Sequence, residues 1–223
     1  FSKLFEEERE LPVILVVDIS ASSEFGTSSD GKRGIASEIA AVLSFSAISN
    51  NDKVGLLMYS DRVEQYIPPK KGRDHVLYMV RQLLTMEAKG KSTDLYLALR
   101  RMNNLLPQQC IVFVLSDFLQ GPFEDAIKMA GRRHDLIGIK IYDAMDMQLP
   151  DIGLLQCRDP ETGQVRMLDT HDFSVREEYK NAFFNHTEKC RNAFLKAGCD
   201  LLHIRTDEDY VKVLQRFFMA RNR

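Results

Sequence analysis

The 223-residue sequence has no tryptophan, no surplus of either charge, and no apolar run approaching the roughly 20 residues of a membrane-spanning helix. Thirty Lys and Arg against 32 Asp and Glu leave a net charge of −2, so no overall basic field draws the chain to nucleic acid or an anionic membrane. Cys110, Cys157, Cys190 and Cys199 never pair as Cys-x-x-Cys, which fits a reducing compartment better than a disulfide framework. The histidines are scattered and form no His-Glu-x-x-His, which argues against a zinc site. Gly-x-Gly-x-x-Gly and Gly-x-Ser-x-Gly are missing, and Gly31-Lys32 lacks the earlier glycine of a phosphate-binding loop. Dinucleotide binding, serine hydrolysis and nucleotide hydrolysis therefore have weak support. The chain opens at Phe1 without Met or a signal-like segment, so it is expected to be part of a longer protein. Residues 1–11, rich in Glu, are expected to form a solvated lead-in to it.

What is present is a repeated pattern of short apolar runs and amphipathic stretches, with 44% hydrophobic residues to supply a core. Val13 to Val17 are consecutive, mostly β-branched and too few for a helix, which predicts a central strand buried on both faces. Ile35, Ile39, Val42, Leu43 and Ala47 recur at helical spacing and predict a helix over 32–49. Residues 54–59 and 63–67 read as a hairpin around Ser60-Asp61, with Pro68-Pro69 closing the second strand at a sheet edge. Two helices follow, the second opened by Thr93, then a strand over 111–115, a short helix and a strand over 136–142. This order predicts an α/β, doubly wound, Rossmann-like fold: a mostly parallel central sheet with one antiparallel edge strand and helices on both faces.

Beyond Pro150 the turn signal Asp159-Pro160-Glu161-Thr162-Gly163 predicts a β-hairpin insertion at about 151–169. A helix over 172–197 carries Tyr179, Phe183, His186, Cys190 and Phe194 on one stripe, with His186 expected to be half-buried and hydrogen-bonded. A strand over 200–204 and a last helix complete a single domain over 12–223. Thr206 and Asp209 are placed as a capping box for that helix, and Tyr210, Val211, Leu214, Phe217 and Phe218 as its buried face.

Asp18 closes the first strand, where open α/β sheets hold their ligands. Ser20 and Ser22 follow at spacings of two and four, Thr93 precedes a helix, and Asp117 ends another apolar strand. The topology brings all five to one sheet edge. They are oxygen donors and two are charged, a set that selects Mg²⁺, or Mn²⁺ or Ca²⁺, over zinc or copper. Such an ion keeps positive character and takes a carboxylate from outside, so the site serves recognition as readily as catalysis. The plainer alternative for 18–22 is a strand running into a polar turn.

Asp18-x-Ser20-x-Ser22, Thr93 and Asp117 resemble, in order and spacing, the metal-ion-dependent adhesion site of von Willebrand factor A (vWA) domains. Within that family the chain is most similar to the bacterial group catalogued as domain of unknown function fifty-eight. Supporting phrases are Asn51-Asp52-Lys53-Val54-Gly55-Leu56-Leu57, Ile67-Pro68-Pro69-x-x-Gly72, Ser116-Asp117-Phe118, Arg133-His134-Asp135 and Glu161-Thr162-Gly163. One departure is Ser23, where many relatives have Met. The resemblance implies a cytoplasmic, non-enzymatic, metal-dependent interaction module. Its implied partner is a MoxR-type AAA+ ATPase, or that ATPase's client, which would supply an Asp or Glu to the ion.

Two competing functions carry specific expectations. A haloacid-dehalogenase-like phosphohydrolase would use Asp18 as nucleophile, but its chemistry wants a second acid two residues on, where Ser20 stands. A structural module with a vestigial metal site is the other, and the presence of all five oxygen donors argues against it.

Overall fold

The computed structural model describes residues 11–24, 31–90, 92–119, 121–158 and 164–221. Most of the lead-in over 1–11, part of the loop after Ser23 and the 159–163 turn lie outside the described residues. In chain order the elements are β1 (Val13–Asp18), a 3-10 turn (Ala21–Glu24), α1 (Gly31–Ser49), β2 (Val54–Tyr59), β3 (Val63–Lys70), α2 (Arg73–Thr85), α3 (Leu95–Leu105) and β4 (Ile111–Ser116). Then come α4 (Glu124–Gly131), β5 (Asp135–Tyr142), α5 (Ala144–Met147), β6 (Leu154–Arg158), β7 (Val165–Asp169), α6 (Phe173–Ala197), β8 (Asp200–Arg205) and α7 (Tyr210–Arg221).

Six strands form one sheet in the order β3-β2-β1-β4-β5-β8, with β3 alone antiparallel to its neighbour. β1 and β2 are buried at every position, as their unbroken apolar runs require. Alternate side chains feed two cores. Leu15, Val17, Met58 and Leu115 pack toward Ile39 and Leu43 of α1, Met79 and Leu83 of α2, and Leu214 of α7. Ile14, Val16, Leu57 and Val114 pack toward Leu99 and Met102 of α3, Ile127 of α4, and Phe194 of α6. Each fully buried aliphatic or aromatic side chain contributes about 1.5–3 kcal/mol. This is the doubly wound fold expected from the sequence, and β6 and β7 form the separate two-stranded sheet of the hairpin. Among the described residues no helix is long and apolar enough to cross a membrane.

The structure corrects several local expectations. Pro68 and Pro69 do not close β3, which runs on to Lys70 and pairs with Val54. A register shift between Val54 and Leu56 absorbs the prolines, and a Cβ on Gly55 would meet Ile67 O and Pro69 N at 3.0 Å. Asp94, not Thr93, caps α3, its carboxylate accepting from Leu97 N at 2.8 Å. Thr206 does not join Asp209 in a capping box: its hydroxyl donates to Asp143 Oδ2 at 2.6 Å, while Asp209 Oδ1 accepts from Lys212 N at 3.3 Å. On α7 only Leu214 is fully buried, whereas Val211 and Phe218 remain substantially exposed. His186 is half-buried, but its Nδ1 finds no hydrogen-bond partner among the described residues; the ring sits edge-on to Phe123, with centroids 5.7 Å apart.

α6 closes against the sheet at Gly138, where an added Cβ would come to 2.6 Å from Phe194 Cε1 and 2.8 Å from Leu201 Cδ1. Phe194 is fully packed and cannot swing away. Gly138→Ala is therefore expected to lower stability by about 1–3 kcal/mol in urea unfolding, with Phe194→Leu in the same chain restoring part of the loss. An unchanged midpoint for Gly138→Ala would refute this packing.

Candidate metal centre

The chain runs from β1 through β2 to the β3 edge, then returns to place β4 on the other side of β1. The carboxyl ends of β1 and β4 thus flank the point where the strand order reverses, the usual ligand crevice of an open α/β sheet. Val17 pairs with Leu115, which sets Asp18 level with Ser116 and brings Asp117 beside it. Both carboxylates are buried, at 2% and 6% exposure. Asp18 Oδ1 accepts from Ser20 N at 3.0 Å and Oδ2 from Ser116 Oγ at 2.8 Å. Burial and then the Asp117 charge push the Asp18 carboxyl up to about 6, while hydrogen bonds from Ser20 and Ser116 hold it back.

Asp117 meets the opposite environment. Its Oδ2 accepts from Lys32 Nζ at 2.9 Å and its Oδ1 from Leu119 N at 3.1 Å, while Lys140 Nζ donates to its backbone carbonyl. Burial alone would raise this carboxyl, but the Lys32 ammonium, with the Leu119 N–H and the Lys140 charge, outweighs it and holds the group below the ordinary carboxylate range. Lys32 is 3% exposed and also lies 3.4 Å from Asp146 Oδ2. Burial would lower its ammonium, yet Asp117 and Asp146 together hold it above the usual lysine range. Asp146 is in turn fixed by a capping box, its Oδ2 accepting from Asp143 N at 2.8 Å.

The remaining expected donors are placed as follows. Ser20 is buried, and its carbonyl accepts from both Ser23 N and Ser23 Oγ, at 3.0 and 2.6 Å. Ser23 thereby clamps the turn that carries the serines. Ser22 lies in that 3-10 turn. Thr93 is partly buried and held beside β2, because the N–H of Asp94 donates to Ser60 O at 2.9 Å. Thr93 also lines a surface recess of about 370 Å³ with Asp61, Ser92, Gly121 and Pro122. The loops before α3 and after β4 thus share one wall of this recess.

Strand register therefore makes Asp18 and Asp117 buried neighbours, with Ser20 bonded to Asp18, while Thr93 lies in the loop that Asp94 ties to the end of β2. Among the described residues no three carboxylate, imidazole or thiol groups gather as a metal cage. The donor set offers two carboxylates and hydroxyls instead, which suits a hard ion that keeps its own waters. The negative charge of Asp18, met by neutral donors at both oxygens, fits such an ion. Lys32, Asp146, Lys140 and Ser116 are the members that spacing alone does not reveal. Lys140 gave a signal, being a charge inside the apolar run Leu136–Ile141 of β5 and fully buried.

The family described as protein of unknown function DUF58 matches residues 1–189. The uncharacterized protein Rv1480 of Mycobacterium tuberculosis is 31% identical over 220 residues, covering 97% of this chain and 69% of that protein. Among solved structures, the conserved hypothetical protein BatB from Bacteroides thetaiotaomicron superposes with a TM-score of 0.61 at 14% identity, covering 94% of this chain and 98% of that one. An aerotolerance-related membrane protein from Bacteroides fragilis gives 0.59 at 15% identity, covering 92% and 96%. At these identities the two structures speak for the fold alone.

The contrast between the two carboxylates sets opposite expectations for their neutral isosteres in a chelator. Asp18→Asn removes a buried charge that costs folding energy above pH 6, so it is expected to raise stability at pH 8 by about 1–3 kcal/mol. Because the Asp18 carboxyl is raised, wild-type folding regains that energy as pH falls through about 6, and the gain of the variant shrinks. Asp117→Asn strips Lys32 of its nearer partner and is expected to lower stability by about 3 kcal/mol. Denaturant unfolding of the two variants checks this, and the reverse order would refute the charge assignment.

Proposed function

The chain belongs to the family described as protein of unknown function DUF58, and from that premise we propose that it is a protein-interaction module whose docking depends on a divalent cation held by Asp18, Ser20, Ser22, Thr93 and Asp117. The observation that carries this proposal is Asp18 itself. A buried carboxylate at the reversal point of the sheet, bonded at both oxygens to neutral donors, calls for positive charge from outside the chain. Mg²⁺, or Mn²⁺ or Ca²⁺, would supply an electrophilic position open to an incoming carboxylate.

The chain's own residues do the rest. Asp18 and Asp117 bring the charge, and Ser20, Ser22 and Thr93 add neutral oxygens that leave the site electropositive once filled. Ser23 and Ser116 fix the turn and the Asp18 carboxylate by hydrogen bonds, so little ordering remains for binding. The recess beside Thr93 and the loop at Gly121-Pro122 frame the surface a partner would cover. The partner supplies an Asp or Glu side chain; from the resemblance it is a MoxR-type AAA+ ATPase or the client that ATPase remodels. The domain over 12–223 works as an adaptor rather than an enzyme, in the cytoplasm. Ser20 at the place a phosphohydrolase needs its second acid supports the non-enzymatic role.

One observation favours a second reading. The Lys32 ammonium already neutralises Asp117, so the cluster could serve as a metal-free structural lock.

Calorimetric titration with Mg²⁺ and Mn²⁺ separates the two. Under the first reading metal binds the wild type, raises its melting temperature, and does neither in Asp117→Ala. Equal binding by both proteins, or by neither, would remove the metal assignment. Capture of the MoxR-type ATPase by the immobilised chain is further expected to be lost in chelator and in folded Ser20→Ala or Thr93→Ala. Capture that survives all three would place the partner elsewhere.

A further inference from the structure

Lys32 is the second residue of α1 and stands at the end of the segment that begins with Asp18. It is almost wholly buried, with Nζ between carboxylates from two different elements, Asp117 after β4 and Asp146 in α5. The nearer contact is to the carboxylate oxygen Asp117 Oδ2, in the group that the proposed function assigns to a cation. We propose that Lys32 is a built-in counter-cation of this site, which competes with the divalent ion for Asp117 and is received by Asp146 when the ion takes that carboxylate. This inference rests on the metal-binding reading above.

The physical case starts from the donor chemistry. An ammonium offers three donors and no acceptor, so its position between two carboxylates is set by charge and hydrogen bonding. A divalent ion brought to Asp117 repels the ammonium at short range in a buried setting, and one of the two must leave that oxygen. Lys32 has somewhere to go. Asp146 Oδ2 is already 3.4 Å away, and the capping box with Asp143 holds it in place, so it can accept the whole charge without rearranging. When the ion leaves, the ammonium returns and spares Asp117 an uncompensated buried charge. The site is thereby stable in both states, and its metal affinity is set by the difference between two cations rather than by the ligands alone. Lys140 supplies an internal control. It is fully buried and close to the same residue, but it donates to the backbone carbonyl of Asp117 and reaches the carboxylate through its charge alone.

Mn²⁺ binding, followed by the loss of the free-ion electron paramagnetic resonance signal, tests the competition on the whole chain. Lys32→Met is expected to bind Mn²⁺ about tenfold more tightly than wild type, within the usual range for coupled sites. Asp146→Asn, which removes the carboxylate that receives Lys32 when the ion binds, is expected to bind at least about threefold more weakly. Lys140→Met is expected to shift affinity by less than about threefold, since Lys140 acts on the carboxylate by charge alone and does not occupy its oxygen. Equal or weaker binding by Lys32→Met, or an equal gain in Lys140→Met, would overturn the competition while leaving the metal site standing. No binding by wild type or Lys32→Met would overturn both. Should Lys32→Met fail to fold, Asp146→Asn decides alone: weaker binding supports the competition, and unchanged or tighter binding refutes it.

Discussion

Two carboxylates brought side by side at the ends of adjacent parallel strands are an electrostatic problem, and the architecture around them is its solution. β1 and β4 are neighbours because the sheet reverses its order between them, so Asp18 and Asp117 lie together in low dielectric. The chain answers each differently. Asp18 receives hydrogen bonds from neutral donors and keeps a raised carboxyl, whereas Asp117 receives the ammonium of Lys32. Because each answer comes from a different element, the crevice forms only when β1, α1 and β4 are all in place. Site geometry and global fold are therefore one cooperative object.

The layers of the fold were legible because they depend on periodicity, which a sequence displays directly. Unbroken runs such as Val13 to Val17 gave central strands, and 3.6-residue spacing gave the helices packed on both faces. Expectations failed where two local devices competed and tertiary contacts chose between them. Pro68-Pro69 signals the end of a strand, but at a sheet edge its missing N–H groups cost nothing, and Gly55 lets the partner approach. Thr93 and Asp94 are both capable caps, and the carboxylate took the role. Thr206 had a cap available at the start of α7, yet a buried carboxylate, Asp143, was the stronger acceptor for its hydroxyl.

The candidate site was legible to the extent that its proposed ligands sit at fixed offsets from strand ends. Asp18, Ser20 and Asp117 announce themselves in this way. Lys32 does not, since a lysine near the start of an amphipathic helix ordinarily points to solvent, and nothing local says that its ammonium turns inward. Asp146 is similarly silent, because it belongs to a four-residue helix too short to leave a periodic trace. Charges buried by tertiary context are the class of residue that pattern reading misses, and here they govern the energetics of the site.

These hidden residues form a connected path. From Asp117 the contacts run to Lys32, from Lys32 to Asp146, from Asp146 to Asp143, and from Asp143 to Thr206 at the end of β8. The path crosses the sheet along its carboxyl edge from β4 to β8 and ends just before α7. Asp146 and Asp143 reciprocally cap α5, so a change in how strongly Lys32 is held acts on a helix start rather than on a loose side chain. Thr206 bonds Asp143 by its hydroxyl and Tyr142 by its backbone N–H, anchoring the far end to β5 as well. A cation held at Asp117, as proposed, would thus bear on more than the crevice. By setting where the Lys32 charge resides, it would bias a buried polar chain whose last member, Thr206, lies just before α7. A contiguous chain is a physical route for coupling only where one link has two arrangements. In this fold the link with two acceptors is Lys32.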